Sequence, residues 1–184
     1  MGRRRYPYYT AQINSRSLGF EPNAELMKHM IVSKIEPQHE RQWLKLWAEY
    51  LAFYEVRIPS AVTQNTWRQL LDPSNSMIGF GATRQQDLVG FAIVVLHQST
   101  WSVNQTAYLE DMFVRGDQRG MGVGRAMINK VIDFARDVPC ETVYWHTRAD
   151  NFRARRLYDL YVPADDFVRY RLAIRQAHVT QGSG

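Results

Sequence analysis

Apolar positions recur along this chain in two rhythms, and the switches between them mark its elements. Residues 30–35 read as a short strand. Glu36-Pro37 then opens a helix, since proline at an early helical position gives up an N–H that has no partner there anyway. Trp43, Leu44, Trp47, Tyr50, Leu51 and Tyr54 follow at three- and four-residue steps, which places them on one helical face. A shorter helix carries Trp67, Leu70 and Leu71 and stops at Asp72-Pro73, because a residue before proline is pushed out of helical backbone. Residues 77–83 and 88–97 read as two strands around the polar turn 84–87, a hairpin. A strand over 107–114 comes next, then a helix from about Gly122 with Val123, Met127, Val131 and Phe134 or Ala135 inward. A strand over 142–147, a helix over 151–161 and a last strand over 167–173 complete the pattern.

Hairpin-linked strands early and strand–helix alternation late predict one α/β domain, built on a mixed sheet flanked by helices. A length of 184 residues suits one such domain with a substantial core. The domain is expected over 28–176. A polar, basic, aperiodic tail precedes it over 1–27 and a short flexible end follows over 177–184.

Composition narrows the class. A hydrophobic content of 45% is too high for a disordered chain. The longest apolar run, residues 91–96, is strand-sized, so a soluble protein with no membrane contact is expected. The net charge of +5 invites thoughts of nucleic acid, but Arg3, Arg4, Arg5 and Arg16 supply four of the 23 basic residues. The remaining 19 stand against 18 acids, so no basic stripe for phosphate neutralisation is expected. The lone Cys140 makes no intramolecular disulfide and suits a reducing compartment, the cytoplasm or the nucleus. His29, His39, His97 and His178 form no metal-like spacing, so no metal is expected.

Between the strand ending at Val114 and the next helix stands Arg119-Gly120-Met121-Gly122-Val123-Gly124. The first N–H groups of a helix lack intrahelical partners, and its dipole favours an anion there. Glycines let a phosphate come close to those groups, and Arg119 and Arg125 add positive charge. Rival phosphate motifs fail. No Gly-Lys-Ser/Thr is present, and Met127 stands where a dinucleotide fingerprint needs its last glycine.

Arg119-x-x-Gly122-x-Gly124 resembles the acetyl-CoA signature of the GNAT superfamily of N-acetyltransferases. The likeness extends upstream through Leu109-Glu110-Asp111-Met112-Phe113-Val114 and downstream to Asn151-x-x-Ala154-x-x-Leu157-Tyr158. Trp43-x-x-x-Trp47-x-x-Tyr50-x-x-Phe53-Tyr54 and Tyr144-Trp145-x-Thr147 resemble its fungal histone/polyamine and D-amino-acid acetyltransferase subgroup. The resemblance implies a mostly antiparallel sheet with splayed central strands and acetyl-CoA as co-substrate. It also implies direct attack in a ternary complex and a homodimer or homotetramer. It places the cofactor on the backbone of Met112, Phe113 and Val114, on the turn from Arg119 through Gly120, Met121, Gly122, Val123 and Gly124 to Arg125, and on Asn151 and Ala154. One departure stands out: the family's glycine after Leu-Tyr is missing, and the loop before Phe167 is longer.

Acetyl transfer to an amine asks for a group that takes the ammonium proton, a donor for the carbonyl oxygen and a proton for the departing thiolate. Glu110 is expected to take the proton through water, and Asp111 to attract the cationic amine. As adjacent strand residues the two should point to opposite faces. Tyr158, two helical turns after Asn151, is expected as the general acid. Trp145 is a candidate substrate contact, and His146 is more simply a packed strand histidine. Arg153 and Arg156 are candidates to reach the coenzyme from a largely solvated face. The acceptor is expected to be a small amine, a polyamine or an amino acid. Histone lysines or protein N-termini are the alternative, and a non-catalytic acetyl-CoA-binding module is the reading of another class.

Overall fold

A computed structural model of the protein describes residues 29–174; the proposed tails over 1–27 and 177–184 lie outside the described residues. Five strands and four helices follow in the order β1 (Met30–Lys34), α1 (Glu40–Phe53), α2 (Ser60–Leu71), β2 (Met77–Arg84), β3 (Asp87–His97), β4 (Gln105–Val114), α3 (Val123–Asp137), β5 (Cys140–Trp145) and α4 (Phe152–Tyr158). The sheet order is β1-β2-β3-β4-β5. The first three pairings are antiparallel and β4–β5 is parallel. This is the mixed, mostly antiparallel sheet that the pattern of the chain predicts.

Each sheet face has its own core. On one, Val123, Met127, Ile128, Val131, Phe134 and Ala135 of α3 meet Phe80, Ala82, Val94, Ala107 and Leu109. On the other, Trp43, Leu46 and Trp47 of α1 and Trp67 and Leu70 of α2 meet Leu88, Phe91, Ile93 and Phe113. Trp43 is the pin of the second core: its ring stands 5.2 Å from that of Trp47 and 5.1 Å from that of Trp67. Such wide, rigid contacts fix the axis of α1. They thereby fix Tyr50, Phe53 and Tyr54 at its C-terminal end.

Two bulges interrupt the antiparallel ladders. Ala82 pairs with Gly90 and Thr83 with Leu88, so Val89 is extra. Ile93 pairs with Asp111 and Val94 with Leu109, so Glu110 is extra. Beyond the first bulge, Gly90 runs close to β4. A Cβ on Gly90 would stand 2.8 Å from the Phe113 carbonyl oxygen and 3.2 Å from Met127. Gly90→Ala is therefore expected to destabilise the fold by about 1–3 kcal/mol, as overpacking against backbone does. The check is a lower urea midpoint at an unchanged denaturant slope.

The expected last strand is absent. Residues 167–174 make no ladder, and Val168, Tyr170, Leu172 and Ile174 are 72–92% exposed. The run has the alternation of a strand, but its entry is spoiled. Pro163 brings no N–H, and the Asp165 carboxylate takes the Phe167 N–H at 3.2 Å, a local bond that competes with strand pairing. The helix expected over 151–161 also ends early, at Tyr158, with Tyr161 in a following turn.

Candidate active site

The pairing of β4 with β5 stops at Leu109 and Trp145. From Glu110 to Val114 the β5 side of β4 carries no ladder, so this edge of the strand is left uncovered by β5. The bulge at Glu110 sits where the two strands part, and a bulge both bends a strand and re-aims its side chains.

That re-aiming overturns the opposite-face expectation for the two acids. Leu109 packs in the α3-side core, so its neighbour Tyr108 faces the other side, while Phe113 belongs to the α1-side core. Tyr108 and Phe113 are an odd number of residues apart, and strict alternation would separate them. The single extra residue, Glu110, resets the parity and brings Asp111 to the face of Tyr108. Asp111 accepts a hydrogen bond from the Tyr50 hydroxyl of α1. Both carboxylates raise the pKa of the Tyr50 and Tyr108 hydroxyls. Glu110 is exposed and Asp111 only half so.

Burial governs the titration of this corner. Desolvation pushes the Asp111 carboxyl up to about 6; the Tyr50 bond pulls the other way and the Glu110 charge adds to the rise. Tyr50 is pushed far up by burial and then by Asp111. Tyr158 rises to about 12 through burial, with Tyr54 contributing. Tyr54 is raised by burial and by Asp111, and lowered by Arg148. Tyr54 packs edge-on against Tyr50 at 5.0 Å.

The glycine turn has the expected shape. Gly120 and Gly122 have φ of +83° and +86°, conformations that only glycine adopts without strain, and Gly122 is the N-cap of α3. Val123 is buried, so only its backbone is open to a ligand. Gly124 has a different duty: a Cβ there would lie 3.0 Å from Leu157 of α4, so its bareness lets the two helices close up. Met121 and Gln118 both receive Nη1 of Arg84, which braces the turn. The Arg125 carbonyl accepts from Tyr161 at 3.2 Å.

The arginines divide differently from the sequence expectation. Arg119 turns its guanidinium onto β4, donating Nε to the Val114 carbonyl at 2.8 Å between the rings of Phe53 and Phe113, 5.4 and 5.2 Å away. Arg153, from the first turn of α4, brings Nη2 to 4.0 Å from the point where a Cβ on Gly120 would stand. Arg153 thus brings a guanidinium to the turn, as Arg84 does at Met121.

Asn151 caps α4, accepting from the Ala154 N–H at 3.3 Å and donating to Thr147 at 3.1 Å. Met112 leans on the α3-side core. Trp145 packs its ring 5.3 Å from that of Tyr158, a support for the tyrosine. Its neighbour Tyr144 stacks on Tyr108 at 4.9 Å on the acid-bearing face, with His97 and His146 bonded to the two hydroxyls. Sequence reasoning passed over Tyr54, Tyr108 and Tyr144 as site residues. The only signal for Tyr54 was its place at the end of the aromatic helix face. A cleft of about 250 Å³ opens between the end of α1 and the start of α4, lined by Phe53, Tyr54, Arg148, Asp150 and Asn151. Among the described residues no cluster of three metal-ligating side chains occurs, and no helix is long and apolar enough to cross a membrane.

Known proteins resemble this chain in sequence and in fold. The model of the acetyltransferase (GNAT) family matches residues 38–160. The D-amino-acid N-acetyltransferase HPA3 of Saccharomyces cerevisiae is 34% identical over 153 residues, covering 82% of this chain and 95% of its own. A thialysine N-epsilon-acetyltransferase of Caenorhabditis elegans is 28% identical over 134 residues, covering 72% and 82%. Among solved structures, the ribosomal-protein-alanine N-acetyltransferase of Brucella melitensis superposes with a TM-score of 0.68 at 20% identity, over 79% of this chain and 99% of that one. The aminoglycoside N-acetyltransferase AAC(6')-Iy in complex with CoA gives a TM-score of 0.65 at 16% identity, over 82% and 95%. These two structures speak for the fold.

Proposed function

Because the chain belongs to the GNAT family of acetyltransferases, we propose that it moves the acetyl group of acetyl-CoA to the primary amine of a small molecule, a polyamine or an amino acid, in one ternary complex. The observation that carries this reading is the bulge at Glu110. It sits where β4 parts from β5 and brings Asp111 onto the face of Tyr108, whose hydroxyl feels the Glu110 charge as well.

The residues present fit the co-substrate. The left-handed Gly120 and Gly122 and the first N–H groups of α3 suit the pyrophosphate, with Arg153 as the cation above. The β5-side edge of β4 along Met112, Phe113 and Val114, which β5 leaves without a ladder, suits an extended amide-bearing arm, as a strand edge suits a further strand. Arg119, Met121, Val123, Gly124 and Arg125 shape the turn, and Asn151 and Ala154 form the opposite wall. Acetyl-CoA supplies the activated thioester when bound.

The chain's own groups handle protons and charge. Asp111 draws in the ammonium. Glu110, exposed at the bulge, takes its proton through water and returns it to solvent. A backbone N–H at the β4 edge stabilises the carbonyl oxygen as it gains charge. Tyr158, proton-loaded throughout the working range, donates toward the sulfur. Trp145 supports Tyr158 from behind.

The test is thiol release from acetyl-CoA against polyamines, D- and L-amino acids and histone peptides. Turnover with small amines is expected; release confined to peptides, or none with any amine, overturns the reading. Arg153→Ala is expected to raise the KM for acetyl-CoA about tenfold, the worth of one charge-assisted phosphate bond, with the acceptor KM unchanged. Steady-state kinetics in both substrates checks this.

A further inference from the structure

The cleft beside Tyr54 holds a cation that acetyl transfer itself does not need. Arg148 lies on the turn between β5 and α4, which the Asn151 N–H closes onto the Arg148 carbonyl at 3.0 Å. Arg148 lines the cleft of about 250 Å³ together with Phe53, Tyr54, Asp150 and Asn151. Its partner Asp150 is held at 3.3 Å, with both side chains about two-thirds exposed. Exposed pairs of this kind are weak and readily exchanged. Tyr54 also packs its ring 5.0 Å from that of Tyr50, whose hydroxyl donates to Asp111, and the charges of Asp111 and Arg148 act on the Tyr54 hydroxyl in opposite senses.

The site therefore offers a carboxylate for an ammonium and, across one tyrosine, a guanidinium. A polyamine has no use for the guanidinium and is repelled by it. A free α-amino acid carries the complementary pair of charges on neighbouring atoms, and a cleft of this size takes a compact side chain. A guanidinium also matches a carboxylate fork to fork, which a water-lined wall does not. We propose that Arg148 is the residue that reads the acceptor's carboxylate, so that the acceptor is a free α-amino acid and not a polyamine. This rests on the acetyl-transfer reading above and sharpens it.

The experiment compares methionine of either hand with methioninamide and with spermidine, by thiol release, in the full chain and its variants. The parent should prefer one hand of methionine over its amide by about tenfold or more in kcat/KM. Arg148→Gln should raise the methionine KM about 10- to 100-fold and erase that preference, leaving kcat and the KM values for methioninamide and acetyl-CoA near the parent's. Arg148→Lys should recover part of the loss. Asp150→Asn, which frees the guanidinium, should lower the methionine KM. Equal use of methionine and its amide by the parent, or a preference for spermidine, overturns the proposal while acetyl transfer stands. So does an Arg148→Gln variant that slows both methionine and its amide alike. Silence with all three amines is a different failure, because it removes the acetyl-transfer reading itself and this proposal with it.

Discussion

Replacing Tyr158 by phenylalanine is expected to lower kcat about 10²- to 10³-fold while the KM for acetyl-CoA stays near the parent value. The hydroxyl is the only group removed. The ring keeps its place, because its packing against Trp145 at 5.3 Å involves carbon faces that phenylalanine shares. Burial holds the hydroxyl at about 12, so the proton is present at every working pH. A donor this weak does not hand a proton freely to a thiolate of ordinary pKa near ~8.5. Its worth lies in a hydrogen bond that strengthens as sulfur gains charge, an interaction larger in the transition state than in the ground state. A loss of this size corresponds to about 3–4 kcal/mol of transition-state stabilisation. Pre-steady-state thiol release separates this chemistry from product release. A variant within twofold of the parent, or one whose acetyl-CoA KM rises in step with the loss, would show that Tyr158 packs and positions but does not donate.

How far the sequence reaches is clearest along β4. Its limits, its apolar character and its two acids are plain in Leu109-Glu110-Asp111-Met112-Phe113-Val114. Which way the acids point is not. Strict alternation separates them, and one unpaired residue reverses that result. A bulge is a matter of register between two strands, and neither strand's own composition records it. The arginines teach the same lesson at longer range. Arg119 has the right neighbours in sequence for a phosphate, yet the aromatic end of α1 offers its guanidinium two ring faces and a carbonyl. Arg153, thirty-four positions later, arrives over Gly120 only because Gly124 lets α4 close on α3. Periodicity did well where a helix buries one face: Val123, Met127, Val131, Phe134 and Ala135 are all buried. It failed at residues 167–173, where alternation and β-propensity were present but a ladder partner was not.

Asp111→Asn is expected to make the protein more stable and the enzyme worse. Burial raises the Asp111 carboxyl from 3.8 to about 6. Between those values the native state holds a proton that the unfolded chain has lost. Protons bound in excess by the native state make stability fall as pH rises. The loss therefore begins near 4, is complete a little above 6, and persists at neutral pH, where the ionised carboxylate costs about 3 kcal/mol. Asparagine has no charge to desolvate and still accepts the Tyr50 hydroxyl. Its amide protons need partners of their own, so a net gain of about 1–3 kcal/mol at neutral pH is expected. The parent's melting temperature should fall from pH 4 to pH 6.5, and the variant should lack that part of the fall. Activity should move the other way. The ammonium of the acceptor is drawn by the ionised form, so the parent's kcat/KM for the acceptor should climb through about pH 6. In the variant that climb should vanish, and the acceptor KM should rise about tenfold or more with the acetyl-CoA KM unchanged, as expected when one partner of a desolvated charge pair is removed. A variant less stable than the parent at neutral pH would mean that Asp111 is a structural partner of Tyr50. A retained climb through pH 6 would assign the cation to Glu110. The combination expected here, stability gained and acceptor lost, arises only if the charge is held in a site that the fold alone would leave neutral.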